Sequence, residues 1–194
     1  MRSSLNAVSL AAAAWKKVVK EGDVCIDATA GRGNDTLMLC RLAGQTGTVH
    51  AFDIQPEAVN STKALLESCG MQDRAQVHNV SHCRMDEFCK EKSVAAICFN
   101  FGWLPGADHS ICTKKDTSLE AIRKGLALLA PGGVMTLIIY SGKDTGYEER
   151  DAILAYLPQI DSKEYTVLPV PFVNRPNDPP IPVLIFREPV ISEP

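Results

Sequence analysis

No stretch of this chain stays apolar for the ~20 residues that a membrane-crossing helix needs. Residues 10–15, with Arg2 ahead of them, have a faint leader-like cast, but Lys16 and Lys17 follow at once. Leu5, Val8, Ala12, Trp15, Val18 and Val19 recur at helical spacing, so the segment reads as an amphipathic opening helix. Paired cysteines are missing as well. The seven, Cys25, Cys40, Cys69, Cys83, Cys89, Cys98 and Cys112, are odd in number and none lies at C-x-x-C spacing. Most sit inside apolar segments, as reduced core residues do, which argues against a disulfide framework and for the cytoplasm. His78, His82, Cys83 and Cys89 are spaced too loosely for a zinc site, so no metal is expected. Excess charge of either sign is lacking too: the net charge is −3. Contact with nucleic acid must then rest on local clusters, Lys16, Lys17 and Lys20 or Lys114, Lys115, Arg123 and Lys124, which are as easily solvated faces.

Internal repeats, low-complexity tracts and long linkers are absent. What the chain has is alternation. Strand signals at 24–27, 48–53, 75–80, 94–100, 134–140, 165–170 and 181–186 are separated by helical patterns at 34–42, from Pro56 to Gly70, from the capping-box pair Thr117 and Glu120 to about Leu129, and at 148–157. The prolines between 169 and 182 suit a rigid connection and not a central ladder. The order predicts an α/β fold: a mostly parallel, seven-stranded Rossmann-like sheet with helices on both faces. The 194 residues fit one domain, with an N-terminal helix in 1–22, a cofactor-binding core in 23–140, and a C-terminal helix with the final strands in 141–194. Sheets of this type bind ligands beyond their C-terminal strand ends, so residues just after strands carry the information.

After the first strand comes Asp27-Ala28-Thr29-Ala30-Gly31-Arg32-Gly33-Asn34-Asp35-Thr36. Gly31 and Gly33 permit a tight turn before a helix N-terminus, but the third glycine of a dinucleotide fingerprint is missing. Asp53, twenty residues beyond Gly33, suits the hydroxyls of an adenosine ribose; alone it would read as the cap of the helix at Pro56. The third strand runs into Ser81 and His82, where an adenine edge would lie. Asp27 tips the choice between NAD and S-adenosylmethionine, because a carboxylate beside the ligand repels a pyrophosphate but suits a charged amino-acid end.

The fourth strand ends in Asn100-Phe101-Gly102-Trp103-Leu104-Pro105-Gly106-Ala107-Asp108. The Asn100 amide oxygen can accept from a substrate amine, Trp103 or Phe101 can stack on a flat base, although Phe101 reads equally as a core aromatic, and Asp108 can take a proton. These motifs, with Phe52-Asp53-Ile54-Gln55 and Ser81-His82, together resemble the bacterial tRNA wobble-uridine methyltransferases, formerly labelled rRNA methylases. The likeness runs from the first helix to Pro179-Pro180. It implies a class I fold, S-adenosylmethionine as cofactor, and methylation of the aminomethyl nitrogen of 5-aminomethyl(-2-thio)uridine in the tRNA anticodon stem-loop. By motif match Gly31, Asn34, Asp35, Asp53, Gln55, Ser81 and His82 would contact the cofactor, beside Asp27, Thr29 and Gly33 of the same turn. Asn100, Phe101, Gly102, Trp103, Leu104 and Pro105 would face the substrate. Where the family has Tyr-x-Gly-His, this chain has Tyr140-Ser141-Gly142-Lys143, so Lys143 replaces the histidine and would reach a phosphate; Ala107 stands where glycine is common. Methylation of rRNA or a small amine, hydride transfer with NAD, and nucleotide binding without catalysis stay open as alternatives, as does a homodimer.

Overall fold

The computed structural model describes residues 5–102, 113–141 and 146–190. Its strands are β1 (Val24–Asp27), β2 (Thr48–Phe52), β3 (Ala75–His78), β4 (Val94–Phe101), β5 (Leu129–Ile139), β6 (Tyr165–Pro169) and β7 (Ile181–Arg187). They form one sheet in the order β3-β2-β1-β4-β5-β7-β6, parallel from β3 through β5, with β7 antiparallel to both of its neighbours. The order reverses between β1 and β4, and the crevice that opens there is where such sheets bind ligands. The helices are α1 (Ala7–Val18), α2 (Asn34–Ala43), α3 (Pro56–Ser68), α4 (Lys115–Leu128) and α5 (Tyr147–Tyr156). Among the described residues no helix is long and apolar enough to cross a membrane.

Side chains of a strand alternate between faces, and both faces of this sheet are covered. Ile97, Phe99, Phe101, Met135, Leu137 and Ile139 point to one side, with Ala121 and Ile122 of α4 and Ile153 of α5. Ala96, Cys98, Val134 and Ile138 point to the other, with Ala11 and Trp15 of α1 and Leu39 of α2. The buried Trp15 indole satisfies its N–H by donating to Thr136 Oγ1 at 3.0 Å.

Three local expectations are corrected. Helix α1 buries Ala7, Ala11, Ala14 and Trp15, while Leu5 and Val8 are exposed, because the small alanine face lets the helix lie close to the sheet. Thr117 and Glu120 form no capping box: α4 starts earlier, after Lys114, and the Thr117 hydroxyl donates back to Lys114 O. Pro182 does lie in an inner strand, β7, opposite Ile138. Its carbonyl accepts from Val170 just past the end of β6. N–H and C=O of a strand residue point the same way, so the missing donor faces that fading edge and the β5 ladder loses nothing.

Candidate active site

The turn after β1 is built by long-range backbone contacts. Ala28 N–H donates to Cys98 O, Ala30 N–H to Phe52 O, and Gly33 N–H to Ala30 O, each at 2.8–2.9 Å. Gly33, at φ +80°, caps α2 in the left-handed region, and Thr62 of α3 comes so close that a Cβ on Gly33 would lie 2.9 Å from its Cα. The first-turn amides of α2 thus open toward the crevice with no intrahelical acceptors, an electropositive rim for a carboxylate.

Asp53 sits just beyond β2. Its Oδ2 accepts the Gly31 N–H at 3.0 Å and its Oδ1 the Gln55 N–H at 2.9 Å, which ties the tips of β1 and β2 together. It is not the cap of α3, a place that falls to Gln55. An ionised carboxylate has about four acceptor sites, so two remain for ligand hydroxyls. Beside it the Ile54 side chain is 55% exposed, an apolar surface that motif reading passed over. Across the crevice Ser81 caps the short 3-10 turn His82–Glu87. His82 packs edge-on against Phe99, and burial pulls its pKa below the usual histidine value. Among the described residues its buried Nε2 has no hydrogen-bond partner, the kind of group that a bound ligand satisfies.

Asp27 is wholly buried at the end of β1. Oδ2 accepts the Thr36 hydroxyl at 2.6 Å and Oδ1 the Thr29 N–H at 3.2 Å. Burial first, and then the charge of Asp35, push its pKa up to about 7, against the opposing hydrogen bonds of Thr36, Thr29 and Cys98. Thr36 escaped the sequence-derived site set, although it lies in the motif, because nothing in its spacing says which carboxylate it meets. Asp35, whose pKa is raised mainly by burial, accepts the Asn100 side-chain N–H at 2.8 Å. The Asn100 backbone N–H donates to Thr29 Oγ1 at 2.7 Å. One end of the Asn100 amide is therefore held by Asp35, and its Oδ1 receives no donor among the described residues.

The aromatic expectations divide. Phe101 is fully buried and stacked on Phe99 at 5.0 Å, so it belongs to the core and not to a base-stacking surface. Gly102, at φ +140°, brings its backbone against Tyr140, whose Cβ would lie 3.2 Å from an added Cβ. Trp103, Leu104, Pro105, Asp108 and Lys143 lie outside the described residues. The structure thus gathers Asp27, Thr29, Gly31, Gly33, Asn34, Asp35, Asp53, Gln55, Ser81, His82 and Asn100 around the crevice at the β1–β4 switch.

Residues 49–186 match the family model described as "Putative rRNA methylase". The chloroplastic tRNA (mnm(5)s(2)U34)-methyltransferase of Arabidopsis thaliana is 34% identical over 94% of this chain and 70% of its own length. The chain belongs to this methyltransferase family. A solved "putative rRNA-methylase" of Clostridium thermocellum superposes with a TM-score of 0.92 at 39% identity, covering 96% of this chain and 100% of that one. A "putative methyltransferase" of Streptococcus mutans, solved in complex with SAH, superposes with a TM-score of 0.86 at 32% identity, covering 95% and 99%. This chain is thus a class I methyltransferase that uses S-adenosylmethionine, and the glycine turn, the α2 N-terminus, Asp53 and the His82 ring fit that molecule.

The raised Asp27 pKa has a measurable consequence. A cationic amino-acid end bound beside Asp27 would favour its ionised form, and cofactor binding below pH 7 would then release a proton. Affinity should then rise with pH and level off above about 7. Stability of the free protein runs the other way: a carboxyl raised from 3.8 to about 7 contributes stability that is full below pH 3.8 and is lost as pH climbs to 7. Titration calorimetry at pH 6 and 8, in buffers of different ionisation enthalpy, should show proton release at pH 6 alone. Equal release at both would place the cation elsewhere.

Proposed function

We propose that this methyltransferase acts on the aminomethyl nitrogen of 5-aminomethyl(-2-thio)uridine at the wobble position of tRNA. The observation that carries the reading is the relative named for the methylated form of that nucleoside, which aligns with nearly the whole chain. The site supports it chemically. An aliphatic amine needs an acceptor for one N–H while its lone pair stays free, and Asn100 Oδ1 offers that acceptor because Asp35 holds the other end of the amide. Had the amide turned over, its NH₂ group would compete for the lone pair.

S-adenosylmethionine, when bound, supplies an electrophilic methyl group that needs no further activation. The chain's part is positioning and proton handling. Asn34, Asp35 and the α2 amides hold the amino-acid end, while Asp53, Gln55 and Ile54 hold the nucleoside beside His82. An alkylamine has a free pKa like that of lysine, about 10.4, and reaches the site protonated. A nearby positive charge and desolvation lower that value, and Asp108 takes the proton that leaves.

The RNA-facing surface is drawn from residues with existing partners. Lys115 pairs with Glu148, Arg123 lies over the Tyr156 ring at 5.0 Å, and Lys124 meets Asp86 and Glu120. The first two, with Lys114, remain the basic residues proposed for phosphate contact. Reversing all three charges should weaken tRNA binding and flatten its dependence on log salt by roughly 0.7 per lost phosphate contact. An unchanged slope would move the docking face elsewhere.

The deciding experiment is mass spectrometry of nucleosides from tRNA carrying the aminomethyl precursor, incubated with the protein and S-adenosylmethionine. One added methyl on that nucleoside is the expected result. No gain, with the cofactor demonstrably bound, would turn the search to rRNA and small amines.

A further inference from the structure

The exit of β4 beyond Asn100 is tied to a carboxylate outside every family motif named above. Gly102 N–H donates to Thr113 Oγ1 at 2.9 Å, and Thr113 N–H donates back to Gly102 O at 3.1 Å. The Thr113 hydroxyl in turn donates to Glu149 Oε2 at 2.8 Å, and the Ser118 hydroxyl donates to Oε1. Glu149 is 5% exposed in the first turn of α5, and Ser118 is fully buried in α4. A buried carboxylate is costly unless it is hydrogen-bonded, and here each of its oxygens accepts from a hydroxyl. An apolar residue would fill the same space without that cost. The helix N-terminus beneath offsets part of it, and burial still pushes the Glu149 pKa up.

The arrangement acts on the backbone that carries Asn100. From one side Tyr140 N–H donates to Phe101 O at 3.1 Å; from the other the Thr113 hydroxyl holds Gly102 N–H. Gly102 has φ +140°, so this exit lies in a region that glycine alone enters freely, and outside contacts must select its conformation.

We propose that Glu149, acting through Thr113, is a positioning residue for methyl transfer, fixing the β4 exit and with it the aim of the Asn100 amide. The proposal rests on the reading that Asn100 faces the acceptor amine. Thr113→Val keeps shape but strands the Gly102 N–H, Thr113→Ser keeps the hydroxyl, and Glu149→Gln keeps one acceptor oxygen where there were two.

The test measures kcat on precursor-bearing tRNA, cofactor affinity, melting temperature, and hydrogen exchange at the Gly102 amide. Thr113→Val should lower kcat roughly tenfold and speed Gly102 exchange, with cofactor affinity held, and Thr113→Ser should recover most of the loss. Glu149→Gln should fall between the two. The idea is overturned if Thr113→Val keeps kcat and KM within about twofold, or loses kcat only in step with cofactor affinity and melting temperature. If the parent protein methylates no such tRNA, the substrate reading fails on its own and exchange decides the rest. Unchanged Gly102 protection in Thr113→Val then overturns the positioning role, and lost protection sustains the link to Gly102.

Discussion

Asn100→Ala should leave a folded protein that binds S-adenosylmethionine and hardly turns over. The side chain contributes little to the core, being half-buried at the end of β4, and its backbone bond to Thr29 survives the substitution. What disappears is the amide oxygen that steers the acceptor nitrogen, and losing such alignment costs about 10²-fold or more in kcat. Asp35 gives the sharper measurement. If it acts by holding the Asn100 amide the right way round, Asp35→Ala in the Asn100→Ala background should cost kcat little beyond the single change, since residues working as a unit are strongly non-additive. Single-turnover rates at saturating cofactor separate that effect from any role of Asp35 in binding. Additive losses would mean that Asp35 serves the cofactor alone.

Asn100→Asp reaches the same point by charge. It sets a second carboxylate against Asp35, where 2.8 Å now separates an amide N–H from its acceptor. Two carboxylates that close share a proton, and one pKa rises strongly. Residual activity in this variant should therefore depend on pH more steeply than in the parent.

Much of this site was legible because parallel sheets put their chemistry after strands. The boundaries of β1 and the start of α2 follow directly from a short apolar run closed by a glycine turn. Asp53, with the glycine turn upstream, reads as a ribose ligand over a helix cap, and the fold puts Gln55 at the cap position of α3 while Asp53 receives Gly31 N–H. Phe101 shows a signal that was present and outweighed. Ile97, Phe99 and Phe101 share the period of two that sends them to one buried face, yet proximity to Asn100 suggested a substrate role. Contacts such as Thr36 to Asp27 or Thr113 to Glu149 left no trace, because a hydroxyl reads as a polar surface residue until packing decides what it faces. Glu149 likewise reads as the solvated first turn of a helix, where acidic residues are common for reasons of the helix dipole alone.

Gly33→Ala should both destabilise the fold and weaken cofactor binding. The residue holds φ +80°, and the left-handed region costs an alanine about 1–2 kcal/mol. The new Cβ would also lie 2.9 Å from the Thr62 Cα and 3.1 Å from its side-chain atoms. A backbone atom cannot swing aside, so either α3 retreats from the turn or the turn shifts. Overpacking of this kind adds about 1–3 kcal/mol. Thr62 also donates its hydroxyl to Gly31 O at 3.2 Å, so any retreat loosens the turn that carries Asp27 and Thr29. Gly70→Ala supplies the control: Gly70 has φ +65° with nothing within 4 Å of an added Cβ, and it meets the backbone cost alone. At about 2–4 °C per kcal/mol, Gly70→Ala should lower the melting temperature by about 2–8 °C with cofactor affinity intact. Gly33→Ala should lower it further and weaken S-adenosylmethionine binding roughly tenfold or more, which corresponds to about 1.4 kcal/mol. If the two variants melt alike and bind alike, the approach of α3 to the turn does not shape the cofactor site. If only Gly33→Ala loses affinity, helix α3 and the glycine turn act as one binding element, although 28 residues of chain lie between Gly33 and Thr62.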